Sequence, residues 1–263
     1  MKILVLIKQT PETDAKITPT SGGDAIDTSS LKFIVNPYDE YAIEEALKIK
    51  QDAGSGEVIV VTLGPDSVKE RLLKPLAMGA DRGILINDDG LKNADSFVIS
   101  QVLSKAIEQE APDLVLCGQQ GIDGNDMHIP PMVAENLNWP HVNVVCQLKV
   151  DGKQLELHRE VDSGQTEVYQ VQLPAVVGAS KALNSPRYAS VPGIMKARKK
   201  PLDRKTVEDL GLNVADLKGQ TQAVIKTYMS PPEKPEGRLF QGEDTASMVS
   251  QVVQLLRDEA KVL

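Results

Sequence analysis

The feature that most restricts the fold is an alternation. Short runs rich in Leu, Val and Ile at 3–7, 58–63, 82–87 and 114–117 are separated by helix-length segments with one apolar stripe. Runs without polar alternation suit strands buried on both faces. Between the first two, Asn36 and Pro37 open a helix from about Tyr38 to Gln51, with Asp39 and Glu40 in its first turn and Ala42, Ala46 and Ile49 as the stripe. Asp66, Ser67 and Glu70 offer capping groups for a second helix through Ala77, closed by Gly79. Asp95 caps a third, to about Glu110, and Pro112 breaks it. Strand and helix in this order predict an α/β class: a doubly wound, mostly parallel Rossmann-like sheet.

After Pro140 the pattern changes. Val142–Val150, Gln154–Val161 and Glu167–Leu173 read as strands joined by Asp151-Gly152 and Asp162-Ser163-Gly164 turns, with Ala175–Ala179 a further short strand. Together they predict an antiparallel addition to the α/β body. Residues 184–201 carry three prolines, a glycine and a basic run, Lys196, Arg198, Lys199 and Lys200. This is either a surface loop that touches a partner or the solvated end of a helix starting near Ile194. Lys205–Gly211 reads as a short helix and Val224–Met229 as strand-like. Residues 1–229 are thus expected to form a nucleotide-binding-type domain including loop 184–201. Residues 230–263 form a C-terminal extension: a linker with Pro231, Pro232 and Pro235, then a helix from Ala246 to Val262 capped by Asp244, which docks on another subunit or packs back.

Bulk properties narrow the function. A formal charge of −8 argues against nucleic-acid binding. No apolar run reaches the roughly 20 residues of a membrane span, and the opening MKILVLIKQTPE lacks a signal-peptide pattern, so it is read as the first strand of a soluble protein. Cys117 and Cys146 read as free thiols in a reducing compartment. Aromatic residues are 3% of the chain, leaving few flat side chains to sandwich a flavin. Nothing reads as a catalytic or metal-ligand set: Asp123 and Asp126 are expected as turn formers, and Ser21-Gly22-Gly23-Asp24, with no helix after it, as a turn.

One stretch invites a ligand. In Asp113–Pro140 a strand runs into a loop with Gly118, Gly121 and Gly124 and then a helical segment, Met132–Leu137. Helix starts at the carboxyl ends of parallel strands attract phosphate. The glycines have neither Walker nor G-x-G-x-x-G spacing, so a Gly-rich connection without a ligand is an equal reading.

Taken together, VLIKQ, NPYDEYAIEEALK, VIVVTLGP, LAMGADRGI, DLVLCGQQGIDG, LNWP, HREVDSG through QLPAVVGAS, and NSPRYASVPGIMKARKKP resemble, in order, the beta subunit of electron transfer flavoproteins. The resemblance covers nearly the whole chain. It implies a bacterial cytoplasmic electron carrier subunit, not itself an enzyme, paired with an alpha subunit that holds most of a redox-active FAD. Such a complex takes electrons from dehydrogenases of the acyl-CoA type, as in fatty acid β-oxidation, and passes them to a quinone-linked oxidoreductase. The resemblance also implies a second nucleotide on this chain, AMP in ordinary members or another FAD in bifurcating ones. The matching positions are Leu6, Asn36, Pro37, Tyr38, Asp39, Leu63 and the loop Gly118, Gln119, Gln120, Gly121, Ile122, Asp123, Gly124, Asn125, Asp126, Met127, His128 and Ile129. It further implies a partner-recognition loop with Val191 as aliphatic anchor beside Tyr188, Pro192, Ile194 and Met195, and a role for Glu160 in orienting the alpha subunit's flavin domain.

The chain departs from that pattern once. Met127-His128-Ile129-Pro130 stands where ordinary members have Asn-Gln-Thr-Gly and bifurcating ones Thr-Ala-Gln-Val-Gly. The hydroxyl and amide that would contact phosphate are missing and Pro130 removes an N–H, which counts against AMP and more against a second FAD. The competing expectations are a stand-alone adenine-nucleotide-binding or hydrolysing α/β protein and a bifurcating flavoprotein subunit with its own FAD.

Overall fold

The computed structural model describes residues 1–87, 89–91, 93–233, 236–242 and 244–263. Among them the strands are β1 (Lys2–Leu6), β2 (Gln9–Pro11), β3 (Phe33–Val35), β4 (Glu57–Gly64), β5 (Arg82–Asn87), β6 (Leu114–Gly118), β7 (His141–Asp151), β8 (Gln154–Val161), β9 (Gln165–Gln172), β10 (Ala175–Ala179) and β11 (Leu202–Lys205). The helices are α1 (Pro37–Asp52), α2 (Lys69–Met78), α3 (Ser96–Glu110), α4 (Ile129–Leu137), α5 (Val191–Ala197), α6 (Val214–Gly219) and α7 (Thr245–Asp258).

Nine strands join one sheet in the order β11-β5-β4-β1-β6-β10-β7-β8-β9, and β2 pairs with β3 separately. Successive side chains of β1 go to opposite layers. Ile3 and Val5 pack with Ala42, Ile43, Leu72 and Leu76 of α1 and α2. Leu4 and Leu6 pack with Val98, Val102, Val133 and Ala134 of α3 and α4. Both faces of the inner strands are covered, which is why these segments read as unbroken apolar runs. The doubly wound α/β architecture is therefore as expected from the sequence.

The antiparallel addition is smaller than expected. β10 lies between β6 and β7 and runs parallel to both, so among the described residues of the nine-stranded sheet only the β7-β8 and β8-β9 pairings are antiparallel. Ala175–Ala179 is buried throughout, the pattern of an inner strand. The turn signals that precede it fix hairpins, and nothing local marks the return to the sheet centre.

Several local expectations are corrected. Lys205–Gly211 is not a helix: β11 ends at Lys205, pairs parallel with β5, and only Glu208–Leu210 forms a short 3-10 turn. Val224–Met229 forms no strand. α4 begins at Ile129 and α5 at Val191, each earlier than its sequence signal, and α6 and the β2–β3 pair were not foreseen. Of the basic run, Lys200 is structural: its Nζ donates to the carbonyls of Leu76 and Ala80 at the end of α2. The Ser21–Asp24 segment is a turn, with Gly23 at φ 67°.

The chain divides into two compact units, Met1–Tyr228 and Met229–Leu263. In the second, Asp244 caps α7 by accepting from the N–H groups of Ala246 and Ser247, and Arg238 pairs with Glu259 at 2.7 Å. Pro235 of the anticipated linker lies outside the described residues. Among the described residues, no helix is long and apolar enough to cross a membrane.

Candidate functional site

From β1 the chain builds outward through β4 and β5, and then α3 carries it across to β6 on the other side of β1. Connections leaving β1 and β6 on opposite faces open a crevice at their carboxyl ends, the place where open α/β sheets bind ligands. A cavity of about 250 Å³ lies there, just under the ~300–1,000 Å³ typical of sites that bury a small molecule. Leu6, Ile7 and Lys8 come from the end of β1, Leu63 from β4, Cys117 and Gly118 from β6, and Asn36 and Asp39 from the start of α1. Ser96, Ile99 and Leu103 of α3 close the opposite side, with Gln120, Gly121, Asp126, His128, Ile129 and Pro130 of the following loop and helix.

Asn36 and Asp39 organise this end of the sheet. Asn36 sits at the N-cap of α1, yet its side chain makes no capping bond. Its Nδ2 donates to Asp39 Oδ1 and to the Gln120 carbonyl, both at 2.9 Å, and its Oδ1 accepts from Ile122 N–H at 3.2 Å. The cap residue thus clamps the glycine loop. Asp39, 5% exposed, accepts from Lys8 N–H at 2.8 Å and Gly118 N–H at 3.1 Å besides Asn36. Burial pushes its carboxyl up to about 7, against the pull of these donors and of the Lys8 charge. Gly118 has no room for a side chain: a Cβ would stand 2.4 Å from Asp39 Oδ1 and 2.6 Å from Tyr38 Cβ.

Of the residues singled out in the sequence, Leu6, Asn36, Asp39, Leu63, Gly118, Gln120, Gly121, Asp126, His128 and Ile129 line the cavity. Pro37, Tyr38, Gln119, Ile122, Asp123, Gly124, Asn125 and Met127 support or flank it. Ile7, Lys8, Leu91, Asn93, Ala94, Ser96, Ile99, Leu103, Cys117 and Pro130 also line it and were not named as site residues. For Lys8 a signal existed, a cation directly after a buried strand. Ile99 and Leu103 carry one too, a second apolar row on α3 beside the Val98–Val102–Ala106 stripe. Cys117 is buried, which pushes its thiol above the ordinary range, and it lies at the cavity floor as an inert group.

A second feature lies on the α1–α2 face. Asn184 Nδ2 donates to the Tyr41 carbonyl at 3.0 Å and to Glu45 Oε2 at 2.8 Å. Arg187 holds Glu44 by two parallel bonds, Nε to Oε2 at 2.8 Å and Nη2 to Oε1 at 2.9 Å. Gly193 brings α5 against the end of α2, where a Cβ would stand 2.4 Å from the Ala77 carbonyl. On this frame Tyr188 is 99%, Val191 73% and Met195 70% exposed. Ile194 is exposed beside them and Pro192 occupies the first turn of α5. Glu160 is far from both features in the fold order, exposed on β8 opposite Thr166 of β9.

Residues 25–210 match the model of the electron transfer flavoprotein domain. The chain is 40% identical to the electron transfer flavoprotein subunit beta of Bacillus subtilis over 264 positions, covering 100% of both chains. It belongs to the electron transfer flavoprotein beta-subunit family. It is also 36% identical, over 98% of its length and 99% of the relative's, to a caffeyl-CoA reductase-Etf complex subunit of Acetobacterium woodii. A mitochondrial beta subunit of Arabidopsis thaliana is 35% identical over 100% of both chains. As a member of this family the chain is a subunit of an electron-transferring flavoprotein, which implies an alpha-subunit partner.

To the phosphate of the AMP that the family resemblance implies, this cavity offers the loop N–H groups of Gln120, Gly121, Asp126, His128 and Ile129, which make no hydrogen bond among the described residues, but little at the helix start that follows. α4 starts Ile129-Pro130-Pro131, so two of the first-turn N–H groups that would face an anion are absent. Met132 N–H is already bonded to the His128 carbonyl at 3.1 Å. Lys8 Nζ, at 2.8 Å from Asp123, is already paired.

The buried carboxyl makes a testable difference. Because folding raises the pKa of Asp39, the folded chain keeps a proton that the unfolded chain has released, so this group's contribution to stability falls as pH rises from about 4 to about 7. Asp39→Asn removes that dependence but turns an amide N–H₂ towards N–H donors, at a cost of about 1–3 kcal/mol. Melting temperatures at about pH 5 and about pH 8 are expected to fall further for the native chain than for the variant. Parallel losses would remove Asp39 as the titrating group.

Proposed function

We propose that this chain is the beta half of a heterodimer in which the alpha subunit holds the FAD, and that the complex takes electrons from acyl-CoA-type dehydrogenases and delivers them to a quinone-linked oxidoreductase in the bacterial cytoplasm. The flavin, when bound, supplies the redox chemistry. This chain supplies shape: a wall for the flavin domain, with Glu160 as a candidate for orienting it, and a docking loop for the electron donor. The unit Met229–Leu263 is proposed to dock on the alpha subunit through the exposed apolar residues of α7, Val249 and Leu256.

The observation that carries the reading is the row Tyr188, Val191, Ile194 and Met195, apolar and open to solvent on a segment pinned to α1 by Arg187 and Asn184. Large apolar side chains left exposed on a rigid frame mark an interaction site. A few such anchors can dominate the energy of a small interface. The 3% aromatic content supports assigning the flavin mainly to the partner.

The test is co-expression with the alpha subunit. The heterodimer is expected to be yellow with one FAD, and this chain alone colourless. Val191→Asp is expected to leave flavin content unchanged and to raise the KM for the dehydrogenase about 30-fold, the equivalent of a ~2 kcal/mol anchor. An unchanged KM would take the docking role away from this loop, and a yellow isolated chain would overturn the assignment of FAD to the partner.

A further inference from the structure

We propose that residues 222–228 form a strap across the mouth of the cavity and that Asp95 is its latch, so that release at Asp95 sets how fast the cavity exchanges with solvent. Whatever the cavity holds, its entry and exit wait on that release.

Asp95 divides its carboxylate between two tasks. Oδ1 accepts from Val98 N–H at 3.0 Å and caps α3. Oδ2 accepts from Gln222 N–H at 2.6 Å and from Ala223 N–H at 2.9 Å, groups 127 and 128 residues further along the chain. The neighbours Ala94 and Ser96 line the cavity, so the latch stands at its rim. Just upstream of the strap, Gln220 Oε1 accepts from Gln101 Nε2 at 2.9 Å, which lays the incoming chain along α3.

The far end is held on the other layer. Tyr228 N–H donates to the Gly23 carbonyl at 2.7 Å, in the loop between β2 and β3. That hairpin sides with α1 and α2: Val35 packs in their cluster, and Arg71 of α2 donates to the Phe33 carbonyl. Both anchors belong to the carboxyl end of the sheet, since Asp95 starts α3 and β2 follows the end of β1. A chain joining them crosses from the α3 layer to the α1–α2 layer. The cavity opens between those same layers, with Ser96, Ile99 and Leu103 on one side and Asn36 and Asp39 on the other.

Between its anchors the strap is held by little. Val224, Ile225, Lys226 and Thr227 make no hydrogen bond among the described residues, and all four are exposed. A segment with few buried contacts and few internal bonds opens locally at low free energy. Bonds to a carboxylate are the strong ones, so the pair at Asp95 dominates what has to be broken.

The experiment uses the two cysteines of the purified heterodimer's beta chain as reporters. Cys117 is buried in the cavity wall, and Cys146 lies on β7 outside the lining. Labelling by N-ethylmaleimide is followed at each by peptide mass spectrometry. Asp95→Ser keeps one capping oxygen for α3, since Ser caps as well as Asp, and removes the oxygen that the strap uses. Ala223→Pro removes one strap donor and leaves Asp95 untouched. Asp95→Ser is expected to speed labelling of Cys117 roughly tenfold or more and Ala223→Pro roughly fivefold, the scale set by charge-assisted bonds, with Cys146 unchanged in both. Should Asp95→Ser fail to fold, Ala223→Pro decides. Unchanged labelling of Cys117 would overturn the proposal. So would equal acceleration at both cysteines, which marks a general loosening. An effect of Asp95→Ser that Ala223→Pro does not share would place the opening in α3 and overturn it too.

Discussion

Gly118→Ala is expected to cost this chain about 2–3 kcal/mol, a fall of roughly 4–12 °C in melting temperature for a domain of this size. The new methyl group would meet the Asp39 carboxylate and the backbone and Cβ of Tyr38, all fixed at the start of α1. Nothing flexible can give way. Asp39 is held by three N–H donors, and Tyr38 belongs to a helix whose Ala42, Ile43 and Ala46 are fully buried. Relief requires α1 to withdraw from β6, which breaks the Gly118–Asp39 bond and loosens the Asn36 clamp on the loop. Gly124→Ala serves as the control: a Cβ there finds its nearest neighbour at 3.7 Å. Equal melting temperatures for both variants would show that the β6–α1 contact is not close-packed.

The second large effect is an asymmetry. Arg187→Ala is expected to destabilise the chain by about 3–5 kcal/mol, and Glu44→Ala by a third to a half of that. The reason is who is left behind. The Glu44 side chain is 7% exposed and would remain as a buried carboxylate without its guanidinium, whereas Arg187, at 33%, can swing its head into water. Thermal denaturation of the two single variants and the double variant checks this. The double variant is expected to be more stable than Arg187→Ala alone, a non-additivity that only a direct pair produces. If the two single variants lose equally, the charge on Glu44 is answered by something other than Arg187.

Those contacts also show where sequence reading stops. The inner strands were legible because burial on both faces forces continuous apolar runs, and the α1 start was legible from Asn36, Pro37 and Asp39. β11 was not: Leu-Asp-Arg-Lys at a sheet edge pairs on one side only and carries the charge of an exposed strand. The parallel placement of β10 was not legible either, since its partners β6 and β7 are chosen by tertiary packing and its neighbours in sequence are hairpins. At the cavity, the loop after β6 was singled out because a glycine-bearing turn between a strand and a helix is a local feature, whereas Ile7 and Lys8 after β1 were not. Ser96, Ile99 and Leu103 were missed because α3 reaches the site only after crossing the sheet. The capping reading of Asn36 placed the residue well and its bonds wrongly: a side chain that could close its own helix is used to hold a loop 84 residues away.

Helix α1 gives the cavity and the exposed loop a common ruler. Its first turn carries Asn36 and Asp39 at the cavity, and two turns later Glu44 and Glu45 hold Arg187 and Asn184 of the exposed loop. A loop whose shape exists before contact loses little conformational entropy when a partner arrives. On the proposed reading, orientation comes from the preset frame and adhesion only from a few apolar side chains at its tip. Such a contact can form quickly and dissolve quickly, since residence time follows from how much has to be unmade. For a shuttle that must visit a donor and then leave for an acceptor, that short residence is what allows a high rate of traffic.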